Sequence, residues 1–123
     1  MPTEASHIPR GPVGVWRALR WSLNGFRAAW LNEASFRLEA VVAVLLIPLA
    51  LAMDEGPLEK LLLVLSLLGV LTVELINSAI EAAIDRHGPE FHELSGRAKD
   101  LGSAAVLAAI VASTVTWATV LLT

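Results

Sequence analysis

From Leu61 to about Ile84 the chain reads as a membrane-spanning helix, yet from Glu74 onward polar side chains recur inside it. Glu74, Asn77, Ser78, Glu81 and Asp85 stand at 0, +3, +4, +7 and +11, and at 3.6 residues per turn these five share one helical face. An ionised carboxylate deep in hydrocarbon costs at least roughly 2.5–3.5 kcal/mol. Such a stripe persists only if it faces a cavity, a metal or a partner, so it is a functional-site hypothesis from the outset.

The rest of the chain supports a membrane setting. Its 123 residues are 55% hydrophobic and only 17% charged, and a single small domain in water has no interior large enough to hide that much apolar surface. Nucleic-acid binding is excluded as a class, because the net charge is −3 and no basic stripe exists. Cysteine is absent, which removes disulfides and thiolate metal sites. Met1 to Gly14 is polar, with no apolar run ahead of a small-residue cleavage site, so no signal peptide is expected.

Residues 1–12 read as a flexible tail and 13–123 as one membrane-embedded domain. From about 13 to 34, Trp16, Leu19, Leu23, Phe26 and Trp30 recur at steps of three and four, as on an amphipathic helix in the headgroup plane. An ordinary helix resting on its own soluble core is the bland alternative, and little soluble chain remains to supply that core. Three spans are expected at about 36–53, 60–85 and 100–122. The first connector carries Asp54-Glu55-Gly56-Pro57, and the second Gly88-Pro89, with Pro89 placed to be the first residue of the third helix. Ala105, Ala109 and Ser113, or Ala104, Ala108 and Ala112, form small-residue rows suited to close helix approach. The expected fold is therefore all-α, with three transmembrane helices and an N-terminal surface helix.

Polar groups gather on one side of the membrane. Glu33 and Glu39 lie where the surface helix meets the first span, Glu74, Asn77, Glu81 and Asp85 line half of the second, and His92, Glu93, Arg97, Lys99, Asp100 and Ser103 lead into the third. Mixed acidic and basic groups at one surface suit a phosphorylated substrate with a hard metal, since Mg²⁺ prefers one or two carboxylates plus phosphate oxygens and a lysine can neutralise a transferring phosphoryl group. Plainer readings exist for several of these residues. Glu81 and Asp85 can be interfacial, with Asp85 near Arg86; Arg97 and Lys99 can be topology signals; Glu93 and Arg97 can be a weak surface pair. His92 can be a loop histidine, and Trp16, Trp30 and Trp117 interfacial anchors. Neither a phosphate-binding P-loop nor a dinucleotide fingerprint is present. These residues alone do not separate an enzyme from an ion-coupled transporter.

The runs RAAWLNEASFR (27–37), ELINSAIEAAIDR (74–86) and EFHELSGRAKDLGSAA (90–105) together closely resemble the prokaryotic integral-membrane diacylglycerol kinases, from about Trp16 to the last span. The resemblance implies a homotrimeric helical bundle in the bacterial inner membrane that phosphorylates diacylglycerol to phosphatidate with MgATP. It implies Glu74 as general base and Glu33 and Glu81 as ligands of Mg²⁺. Nucleotide contacts would come from Trp21, Glu33, Glu81, Glu90, His92, Lys99 and Asp100, with Asn77 and Asp85 in support. The lipid would meet Arg27, Trp30, Ser35, Phe36, Arg37, Glu39, Glu74 and Ser103. The chain departs from the family pattern at Gly14 to Leu23, at Ser35 and at Leu38.

A close relative, undecaprenol kinase, is the competing enzyme, and Gly102-Ser103 with the 27–37 run look more like the diacylglycerol branch. A small proton-coupled transporter is the competing class; against it, only Thr114 and Thr116 offer polarity in the outer half of a span, and each can bond its own helix backbone. A purely structural subunit leaves Glu74 unexplained.

Five arginines fall within the first 37 residues, and Arg86, Arg97 and Lys99 flank the second connector, whereas the first holds Lys60 among Asp54, Glu55 and Glu59. The positive-inside rule then puts the N-terminus and second connector in the cytoplasm and the first connector and C-terminus outside. Single cysteines introduced at Glu55 and Glu90 check this: an impermeant thiol reagent on intact cells should label position 55 and spare position 90. The reverse pattern inverts the topology.

Overall fold

A computed structural model describes residues 11–90 and 92–123; most of the expected tail, residues 1–10, and Phe91 lie outside the described residues. The described residues form four helices and no strand: α1 (Pro12–Asn32), α2 (Ala34–Ala52), α3 (Pro57–Asp85) and α4 (Glu93–Leu122). They divide into two compact units, one ending at Asn32 and the other running from Glu33 to Thr123.

α1 is a continuous helix opened by Gly11, whose positive φ of 82° only glycine adopts without strain, followed at once by Pro12. Trp16, Leu19, Leu23, Phe26 and Trp30 fall on one flank of it and are all exposed. The helix ends where Glu33 takes an extended backbone (φ −118°, ψ 105°) and caps α2.

In the second unit α2, α3 and α4 are each long and apolar enough to cross a membrane. α3 is central, packing against α2 on one side and α4 on the other. Its buried residues are Leu63, Leu67, Val70, Glu74 and Asn77, at steps of four and three, the spacing that keeps one seam of a helix facing its neighbours. α2 contributes Phe36, Ala43 and Ala50 to this core, and α4 contributes Gly102 and Ser113. Most large apolar side chains point outward, Leu45 at 67% exposed and Leu101 at 64%. An apolar surface of that extent calls for lipid or further protein around it.

Helix ends follow local chemistry. Pro57 occupies the start of α3 after the Gly56 cap. Past Asp85 the chain turns, with Gly88 N–H donating to the Asp85 carbonyl at 3.1 Å and Gly88 at φ 95°. Pro89, expected to open the third span, does not: α4 begins at Glu93. The reason is His92, whose backbone is extended and whose Nδ1 accepts from Leu94 N–H at 3.1 Å, giving the first turn the acceptor it lacks. The region Glu93 to Asp100 is thereby one rigid helix with the span that follows.

α3 and α4 also share a polar contact deep in the bundle. Ser66 Oγ lies 3.0 Å from Ser113 Oγ and also donates to the Leu63 carbonyl at 2.8 Å. The small residues turned inward on α4 are thus Gly102, Ala109 and Ser113, while Ala104, Ala105, Ala108 and Ala112 stay exposed. Ser113→Ala should lower stability by only about 0.6 kcal/mol, because Ser66 keeps its carbonyl partner. Ser113→Leu should cost about 1–3 kcal/mol by overfilling the seam. Unfolding in sodium dodecyl sulfate measures both.

Candidate active site

The polar stripe of α3 continues its hydrophobic seam. After Leu63, Leu67 and Val70 the next inward positions are Glu74 and Asn77, 4% and 8% exposed. Glu81 follows one step later and is half-buried, and Asp85, at the helix end, is exposed. The inward turn of the stripe thus fades along the helix from a buried to an open end.

Asn77 Nδ2 donates to Glu81 Oε1 at 3.2 Å, one turn along the same helix. Because the carboxylate can only accept, this bond settles which end of the carboxamide is nitrogen. Asn77 Oδ1 is buried and has no partner among the described residues. Glu74 is close enough to Glu33, Glu39 and Glu81 for their charges to interact. Four carboxylates from the start of α2 and the middle of α3 therefore share one region, a concentration of negative charge that a cation relieves.

Lys99 on α4 brings a cation to the open end of the stripe. Its Nζ binds Asp85 Oδ1 at 2.7 Å, and its charge also acts on Glu81. Asp85 is thus paired across to α4 and not with its neighbour Arg86. The Arg97–Glu93 pair is a loose 3.9 Å contact between exposed side chains of one helix, of little energetic weight. His92 is the α4 cap, Glu90, Asp100 and Ser103 are exposed nearby in sequence, Ser35 and Arg37 lie in the first turn of α2, and Phe36 is buried there. Trp21, Arg27 and Trp30 belong to α1 and are exposed.

No group of three or more histidine, aspartate or glutamate side chains among the described residues forms a ready metal cage. Glu33, Glu74 and Glu81 are hard oxygen donors, the ligand type that Mg²⁺ takes alongside phosphate oxygens and water.

A groove of about 600 Å³ is lined by α2, α3 and α4, including Leu38, Glu39, Val42, Val70, Ser113 and Trp117, with Glu39 as its one carboxylate. Its walls are almost wholly apolar. Glu39 Oε2 and Trp117 Nε1 are buried without partners among the described residues. Sequence reasoning did not find this groove, the serine pair or the role of Gly102, whose missing side chain faces Asn77. Only the small-residue spacing on the third span hinted at close approach there. Thr114 and Thr116, by contrast, donate to the Ile110 and Ala112 carbonyls at 2.8 and 2.7 Å, as their position in an apolar helix requires.

Three membrane-length helices enclosing a buried glutamate, with an apolar groove that Glu39 lines, define a polytopic membrane protein with a polar site inside its helix bundle. Residues 20–121 match the family described as prokaryotic diacylglycerol kinase, and the chain belongs to that family. It is 50% identical over 107 residues to a diacylglycerol kinase of Escherichia coli (strain K12), covering 87% of this chain and 88% of that protein. It is 47% identical over 116 residues to a diacylglycerol kinase of Pseudomonas aeruginosa, covering 92% and 94% respectively. A diacylglycerol kinase of Helicobacter pylori (strain 26695) is 41% identical over 122 residues, 99% of this chain and 92% of its own.

Proposed function

We infer that this chain is a membrane lipid kinase that transfers the γ-phosphoryl group of ATP to diacylglycerol, giving phosphatidate and ADP. The observation that carries the reading is Glu74, a buried carboxylate on the α3 seam, whose charge acts on Glu39 in the lining of an apolar groove, in a chain of this family. A diacylglycerol cannot leave the bilayer, so its hydroxyl must meet the base at membrane depth while its chains stay in an apolar channel. The groove offers that channel.

Chemically, the lipid hydroxyl oxygen forms a bond to the γ-phosphorus, the bond from that phosphorus to the β-bridging oxygen breaks, and ADP leaves. Glu74 takes the hydroxyl proton. Glu33 and Glu81 would hold Mg²⁺, which when bound would offset charge on the phosphates. Asn77 orients Glu81 through their hydrogen bond. Lys99 exchanges its Asp85 partner for phosphate oxygens. Trp21, Glu90, His92 and Asp100 contact the nucleotide, and Arg27, Trp30, Ser35, Phe36, Arg37, Glu39 and Ser103 the lipid headgroup region.

The protein lies in the bacterial inner membrane with its N-terminus in the cytoplasm, its C-terminus outside and the amphipathic α1 at the lipid surface, apolar flank inward. Subunits associate as a homotrimer. The exposed Ala104, Ala108 and Ala112 row supports this, being a small-residue face left over after the contact with α3 is made.

Purified protein supplied with γ-labelled ATP should place label in phosphatidate when given diacylglycerol; label only in undecaprenyl phosphate reassigns the acceptor, and no ATP consumption supports a transporter. Glu74→Gln should bind MgATP nearly as well as the parent but lose about 10²–10⁴-fold in turnover, unresponsive to added Mg²⁺. Glu81→Gln and Glu33→Gln should weaken MgATP binding and recover in part at high Mg²⁺. Near-parental turnover by Glu74→Gln removes it as the base.

If a site is shared between subunits, with Glu33 and Lys99 from different chains, mixing inactive Glu33→Gln and Lys99→Leu proteins should regain activity. A mixture that stays inactive confines each site to one subunit.

A further inference from the structure

Gly102 is buried in the middle of α4, in ordinary helical backbone, where alanine would be favoured by about 1 kcal/mol on helix propensity. Its glycine is explained by what stands opposite. A Cβ built there would overlap Asn77 Oδ1 and lie 3.3 Å from Asn77 Cγ and 3.9 Å from Asn77 Cβ. The carboxamide thus occupies the space a side chain on α4 would fill. Pressed between α4 and its own helix, Asn77 keeps the rotamer that turns Nδ2 to Glu81 Oε1. Oδ1, against Gly102, has no donor of its own among the described residues, so no hydrogen bond on that side holds the carboxamide. Shape alone does.

We propose that Gly102 is a positioning residue for the phosphoryl-transfer site: its missing side chain holds the Asn77 carboxamide on Glu81. The proposal rests on the assignment of Glu81 to the MgATP site, and its test separates the two. Lys99 is one turn from Gly102 on α4, where its ammonium meets Asp85 Oδ1 at 2.7 Å.

Full-length Gly102→Ala is compared with the parent in the presence and absence of Asn77→Ala, using ¹⁵N-labelled protein in detergent micelles. In the parent background, Gly102→Ala should move the Asn77 side-chain amide resonances and raise the apparent KM for MgATP about tenfold, the scale of one lost hydrogen bond to a charged group, with the KM for diacylglycerol unchanged. With Asn77→Ala already present the overlap is gone. Gly102→Ala should then leave the KM for MgATP unchanged and slightly raise thermal stability through helix propensity. This second comparison stands even if Gly102→Ala alone fails to fold. Equal destabilisation in both backgrounds, or unmoved Asn77 resonances, overturns the proposal. Moved resonances with an unchanged KM for MgATP uphold the contact and remove Glu81 from the nucleotide site instead.

Discussion

The α3 seam, Leu63, Leu67, Val70, Glu74 and Asn77, underlies both the fold and the chemistry. At its hydrophobic end it joins α2 and α4 by ordinary side-chain packing. At its polar end the same steps of four and three carry a glutamate and an asparagine into positions where leucine would otherwise sit. The site is therefore part of the helix interface. Anything that rotates α3 by one residue, about 100°, turns the carboxylates to lipid and the core leucines out of contact together.

Concentrating Glu33, Glu39, Glu74 and Glu81 in one region is unfavourable for the empty protein. Asn77 donates to Glu81, and Lys99 meets Asp85 at the far end of the stripe. Buried polar atoms on Glu39, Asn77 and Ser78 have no partner among the described residues. Unmet polar capacity of this kind is what a site for charged substrates retains, since groups already satisfied within the protein gain little from a ligand. A soluble kinase surrounds its phosphates with a glycine-rich loop. In the mechanism proposed for this chain rigid helices perform that task, and the lipid substrate remains in its own solvent throughout.

The proposed site has an enclosed end and an exposed one. Glu74 is buried at the helix interface, whereas Glu81 is half-buried and Asp85 and Lys99 are exposed. In the proposed mechanism the lipid approaches the first and the nucleotide the second. Because His92 caps α4 at Glu93, the helix that carries Lys99 is continuous with the span, so the cation's distance from the membrane is set by a rigid rod and not by a loop.

Much of this was legible in the residues taken in order. The three spans, the all-helical class and the common face of Glu74, Asn77 and Glu81 follow from apolar length and the 3.6-residue repeat, which are local properties of one helix. The family resemblance carried by the 27–37, 74–86 and 90–105 runs is likewise a property of residue order. The start of α4 was misplaced because a proline signal and a histidine cap compete within four residues, and the side-chain bond that decides between them is invisible in composition. What only the tertiary structure decided are the pairings across helices: Lys99 with Asp85, Ser113 with Ser66, and Gly102 against Asn77. These depend on the register of α4 along α3. An apolar helix in an apolar solvent has no periodicity that specifies such a register, and it emerges only when small residues and polar atoms on two separate helices find positions where both fit.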